Sequence, residues 1–154
     1  MRTVDRLTIR APRERVFAAA SDVEQWPVLL PHYRWVRMLE RRTGGGLVEM
    51  AAWRPFGPLH YPTWWVSEMW IDAAAPAAVR YTHVRGITTG MEVEWRLVPT
   101  EEGTEVTIVH EWSGPAWPLV GRPAAEWVIG PVFVHGIASR TLAGLRTALE
   151  RPDA

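Results

Sequence analysis

The 154-residue sequence suits one domain with a single hydrophobic core, and its ten Trp residues are far more than an average domain carries. Lys, Asn and Cys are absent, so all 17 basic residues are Arg; this excludes disulfides, thiolate nucleophiles, Cys-ligated metals and side-chain Schiff bases. A formal net charge of zero, with Arg and carboxylates interspersed, leaves no electrostatic footprint for nucleic acid or an anionic membrane, and points to an uncharged or mildly polar partner.

The opening MRTVDRLTIR predicts a strand, followed by a helix that starts at Pro12 and carries Val16, Phe17 and Ala20 at helical spacing. In SDVEQWPVLLPHY, Ser21 or Asp22 is placed to cap a second short helix, which Pro27 and Pro31 keep short. Six further strands are expected near residues 33–41, 47–54, 60–71, 78–85, 91–98 and 104–112. Turn signals at RRTGGG, PFGP, DAAAP, RGITTG and PTEEG separate them into consecutive antiparallel hairpins. MEVEWRLV shows the clearest alternation: Met91, Val93, Trp95 and Leu97 share one face and Glu92, Glu94 and Arg96 the other. In TWWVSEMW, alternation puts Trp65, Ser67 and Met69 on one side and Trp64, Glu68 and Trp70 on the other.

From Pro131 onward, Val134, Ile137, Ala138, Thr141, Leu142, Leu145 and Leu149 recur at three and four residues and predict an amphipathic helix to about Glu150. The two longest uncharged runs, residues 55–67 and 127–139, are broken by Pro or Gly and fall short of the ~18 apolar residues of a membrane span. The N-terminal residues lack the apolar core of a signal peptide, so a soluble, cytoplasmic protein is expected. The order of elements predicts an α+β domain over residues 1–154: a seven-stranded antiparallel sheet curved around a long C-terminal helix, with two short helices after the first strand. An all-β barrel is the structural alternative, and the helix patterns at both ends count against it.

DVEQWPVLLPHYRWVRMLE (residues 22–40) resembles the corresponding segment of the polyketide cyclase/dehydrase branch of the START/Bet v1-like superfamily. IRAPRERVFAAASDVEQWP, WVS at 65–67 and GTEVTIVHEW extend the resemblance over nearly the whole chain. It implies a helix-grip fold whose cavity holds a hydrophobic, often polycyclic ligand. Members include aromatase/cyclases that fold and dehydrate poly-β-ketone chains, and quinone-binding proteins with no established chemistry, so the fold alone leaves function open.

The resemblance turns Trp65, Ser67 and Met69 toward the cavity. In the aromatase/cyclases an Arg beside this Ser polarises a ketone; here Glu68 and Met69 follow Ser67, so the expected cation is missing and Met69 suits an apolar lining. His110 matches a His that serves some cyclases as general acid/base, while its position on an apolar strand face favours a core histidine bonded to a neighbour. The acidic partner of that His falls near Thr141 and is absent. Tyr33 matches a cavity tyrosine able to donate to a carbonyl, or is a packed strand tyrosine. His83 aligns with a second family Arg, and as neutral imidazole can donate to a ketone.

The expected catalytic set is therefore His110, Tyr33 and His83. Trp26, Trp65 and Trp95 supply flat indole surfaces for a planar guest, joined in the ligand-binding set by Ser67, Met69, Tyr81, Met91, Ile137 and Thr141. Trp64 and Trp70 are left to cover the outer sheet face or form a homodimer contact. The five histidines lack metal-ligand spacing, and no phosphate-cradling glycine motif occurs, so neither metal nor cofactor is expected. Three functions stand open: a polyketide aromatase/cyclase, with an acyl carrier protein as a candidate partner for substrate delivery; a non-catalytic lipid- or quinone-type carrier; and a ligand-free interaction module.

Overall fold

The computed structural model describes residues 1–56, 58–116, 118–124 and 134–152. Strand β1 (Arg2–Ile9) leads into α1 (Arg13–Ser21), a 3-10 turn (Val23–Gln25) and α2 (Trp26–Leu29). Six strands follow: β2 (Tyr33–Arg42), β3 (Gly45–Phe56), β4 (Leu59–Ile71), β5 (Ala77–Gly86), β6 (Glu92–Thr100) and β7 (Gly103–Glu111). A one-turn helix α3 (Gly121–Ala124) precedes the long α4 (His135–Leu149). All seven strands form one antiparallel sheet in the order β1-β7-β6-β5-β4-β3-β2. This is the α+β architecture that the order of elements predicts, and the helix-grip arrangement that the resemblance implies.

Adjacent hairpins pair wherever the chain turns tightly, so five of the six strand pairings are between sequence neighbours. The exception is β1, which reaches across the chain to β7 with Arg2 opposite Glu111. At the β2–β3 turn, Gly45 has φ +152°, and a Cβ there would overlap the Met69 carbonyl oxygen of β4. Only a residue without a side chain lets these backbones approach so closely.

The alternation in MEVEWRLV is realised: Met91, Val93, Trp95 and Leu97 are buried, while Glu94 pairs with Arg96 and Arg80 on the outer side. On the concave side α1, α2 and α4 close over the sheet, with Ile9, Val16, Trp26, Leu30, Leu97, Leu142 and Leu145 in one core cluster. Packing is tight where α4 crosses Leu30, since a Cβ on Gly144 would meet Leu30 Cδ2 at 2.5 Å. Arg13 fixes α1 to the sheet, donating to the carbonyls of Leu97, Ala73 and Ala75 at 3.0, 2.7 and 2.8 Å. Asp5, buried on β1, pairs with His135 at the first turn of α4; burial raises its pKa and the imidazole partly offsets that.

Two local expectations need correction. Helix α1 begins at Arg13 with Pro12 as its flanking residue. Ser21 and Asp22 do not cap the second helix with their side chains. Ser21 is instead the last residue of α1 and donates its hydroxyl back to the Phe17 carbonyl at 2.7 Å, the i−4 bond that competes with capping. The segment 131–133, where the last helix was expected to open, lies outside the described residues; α4 proper runs from His135.

The convex face carries Trp35, Trp53, Trp64 and Trp70. Trp35 and Trp64 each donate an indole N–H to one oxygen of Glu49, at 3.2 and 3.1 Å. The Arg34 guanidinium lies 4.7 Å from the Trp35 ring centre and 4.6 Å from that of Trp53. Trp64 and Trp70 are exposed, on the face opposite Ser67 and Met69, as strand alternation requires.

Candidate functional site

Between the sheet and α4 lies a cavity with about 80 Å³ of water-accessible space. At roughly 12 Å³ of such space and about 30 Å³ of liquid volume per water, this admits a guest of about 200 Å³, one or two fused rings rather than four. Its wall is built from β-strand positions that alternate inward, capped by Val134, Ile137, Ala138 and Thr141 at the start of α4.

An aromatic arc runs along the wall. Trp95 on β6 packs against Trp26 at 5.5 Å between ring centres, Trp26 meets Tyr33 edge-on at 5.1 Å, and Tyr33 meets Trp65 at 6.4 Å. Trp65 stacks on His83 at 5.8 Å with the planes 12° apart. Trp26 is locked from behind by its indole N–H, which donates to the Ala19 carbonyl at 2.9 Å. Rings held this way keep their faces available as a rigid apolar surface.

The polar groups divide into those already engaged and those that are not. Thr141 Oγ donates to the Ile137 carbonyl at 2.9 Å, so toward its other neighbours it is an acceptor. It takes a hydrogen bond from His32 Nε2 at 3.0 Å, which makes His32 the Nε2–H tautomer. His83 Nδ1 is bonded to Thr88 Oγ1 at 2.6 Å. In contrast, the hydroxyl of Tyr81 and Nδ1 of His110 are buried with no hydrogen-bond partner among the described residues.

Burial sets the charge state of the wall. It depresses the pKa of His32 to about 4, with Arg140 adding to the effect. It brings His83 to about 4, and His110 to about 3, where nearby His83 contributes. Tyr33 and Tyr81 are pushed up by the same desolvation. Arg54 on β3, 5 % exposed, also lines the cavity and is lowered by burial to about 9, which leaves it cationic at neutral pH. No carboxylate lines the cavity among the described residues.

His110, Tyr33, His83, Trp26, Trp65, Tyr81, Met91, Trp95, Ile137 and Thr141 are gathered around one cavity. Ser67 and Met69 are not. Ser67 is fully buried with an unpartnered hydroxyl, outside the cavity wall. Met69 lines a second, separate cleft of about 380 Å³, between the α1 corner at Ser21–Glu24 and the β2–β3 turn. Both side chains point to the concave side, but the void ends before it reaches them. Arg54 was missed, although Val48, Met50, Ala52 and Arg54 alternate inward along β3 and place a cation on the same face.

The family model for polyketide cyclase/dehydrase and lipid transport proteins matches residues 1–150. The chain belongs to that family. No curated protein sequence is significantly similar to it. Among solved structures, it resembles TTHA0849 from Thermus thermophilus, with 20% identity, 97% of each chain covered and a TM-score of 0.79. It is also similar to the Zhui aromatase/cyclase from Streptomyces sp. R1128, at 19% identity over 98% of this chain and 94% of that one, TM-score 0.78. A START superfamily protein from Mycobacterium smegmatis shares 15% identity over 97% of both chains, TM-score 0.72. No described helix is long and apolar enough to cross a membrane.

Proposed function

We propose that the protein binds a planar hydrophobic compound of one or two rings between the sheet and α4. The observation that carries this reading is the aromatic arc from Trp95 to His83 around an open cavity of about 80 Å³. A ligand-free interaction module has no need of that space. An aromatic guest burying about 200 Å² at about 25 cal/mol per Å² contributes roughly 5 kcal/mol before ordering costs, equivalent to a Kd of roughly 0.2 mM. Tighter binding therefore requires polar contacts from the wall.

Native mass spectrometry of freshly purified protein tests the reading directly, since a co-purified one- or two-ring compound, lost in a Trp65→Ala variant, is the expected result. Calorimetry showing no heat with any aromatic probe would remove it.

A second reading, aromatase/cyclase chemistry, draws support from His110 and Arg54 at one cavity wall and from the likeness to the Zhui aromatase/cyclase. In it, Arg54 polarises a ketone in place of the missing cation beside Ser67, and His110 moves the proton. A histidine with a pKa of about 3 is a weak general base at neutral pH, which favours carrier over catalyst. Incubating a poly-β-ketone with wild type and His110→Ala separates the two: identical products from both proteins mean binding without catalysis.

A further inference from the structure

Tyr81 on β5, Val93 on β6 and His110 on β7 stand in one row of the sheet, paired Tyr81 to Val93 and Val93 to His110. Two strand spacings put the outer two Cα atoms about 9.6 Å apart. All three side chains line the cavity. Tyr81 is 4% exposed, yet its hydroxyl has no partner among the described residues, and neither has the buried Nδ1 of His110. Two neighbouring polar groups are already used: His83 Nδ1 by Thr88 and the Trp26 indole N–H by the Ala19 carbonyl. Buried polar atoms are almost always satisfied in folded proteins, and two exceptions on one wall of one void point to an occupant that satisfies them. A purely apolar guest would leave both unmet and would exclude any water that meets them.

We propose that Tyr81 and His110 form a two-point polar clamp across Val93, selecting a planar ligand with a carbonyl oxygen at one end and a hydroxyl at the other. Tyr81 donates its phenol proton to the carbonyl. The ligand hydroxyl, able both to donate and to accept, meets Nδ1 of His110 whichever ring nitrogen carries the hydrogen. Val93 between them is apolar and contacts the ring body. The clamp rests on the binding reading above and adds to it the polar pattern of the guest and the two residues that read it.

The test is calorimetry with four compounds of one size: a hydroxytetralone with its hydroxyl on the ring remote from the carbonyl, tetralone, tetrahydronaphthol and tetralin. Wild type is expected to bind the hydroxytetralone about 10-fold more tightly than either singly oxygenated compound and about 100-fold more tightly than tetralin. Tyr81→Phe should erase the gain from the carbonyl and keep that from the hydroxyl. His110→Leu should do the reverse. Thermal melts establish that each variant is folded, and the wild-type series stands even if one is not. Equal binding of all four compounds, or increments indifferent to both substitutions in folded protein, overturns the clamp and leaves the cavity reading intact. Absence of binding by any of the four overturns both.

Discussion

His32, in the turn before β2, donates from Nε2 to Thr141 Oγ1 on α4 at 3.0 Å, so two segments 109 residues apart are tied beside the cavity. The hydroxyl also donates to the Ile137 carbonyl at 2.9 Å. Thr141→Val keeps the shape and removes every one of these bonds. Urea unfolding should show a loss of about 1–3 kcal/mol, with Thr141→Ser close to wild type. Equal stability of the Val variant would mean that the node contributes nothing.

The cavity histidines make stability depend on pH. His83 and His110 have folded pKa values of about 4 and about 3, below the ordinary 6.5. Between those limits the unfolded chain binds more protons than the folded one. Their contribution is therefore complete above pH 6.5 and is lost as pH falls toward the folded values, at up to about 1.4 kcal/mol per pH unit for each ring. Asp5 acts in the opposite sense: its pKa is raised, so its contribution is greatest below 3.8 and declines as pH rises. Urea midpoints measured from about pH 7 to about pH 4 should fall steeply for wild type and more gently for a His83→Gln/His110→Leu variant. A flat wild-type profile would contradict the burial of both rings.

Gly86 ends β5 at φ +101°, where a Cβ would come within 2.7 Å of the Trp64 carbonyl oxygen and 3.2 Å of Trp65 Cβ. Gly86→Ala should cost about 1–3 kcal/mol through backbone strain and push Trp65 off the His83 ring. Near-UV circular dichroism reads the second effect separately from the first. An unchanged aromatic spectrum would show that β4 does not feel the added methyl.

Met69 lines the outer cleft, while Tyr81, its partner across the ladder, lines the cavity. The methionine therefore stands in the partition between the two spaces. Met69→Ala should lower stability by about 2–5 kcal/mol and join them, admitting three-ring compounds that wild type excludes. A crystal structure with an intact partition, or an unchanged size limit in calorimetry, would count against this.

The fold was legible because its strands are half-buried. Period-2 patterns such as MEVEWRLV and the glycine-rich turns fix strands, faces and hairpin order together, and Trp95 falls on the buried face by the same rule. Alternation reports which face a side chain takes and says nothing about how far along that face the empty space extends. Ser67 and Met69 take the concave face and lie outside the cavity wall, Met69 beside a cleft whose other side is the sequence-distant Ser21–Glu24 corner. Arg54 escaped for a different reason. Its neighbours Ala52 and Trp53 make the stretch look apolar, and the cation was sought on β4, whereas β3 presents it to the same concave surface. The His32 bond to Thr141 depends on how α4 seats against the turn before β2, which no local pattern records.

The pairing of β1 with β7 also constrains how the molecule is assembled during synthesis. Every other strand finds its neighbour within one hairpin of emerging from the ribosome, but the backbone groups of β1 must wait until Glu111 has been made before their ladder can close. Such a long-range closure is slow relative to local hairpins. Until it happens the nascent chain carries an open edge on β6 or β7, the stage at which association with other chains is most favoured.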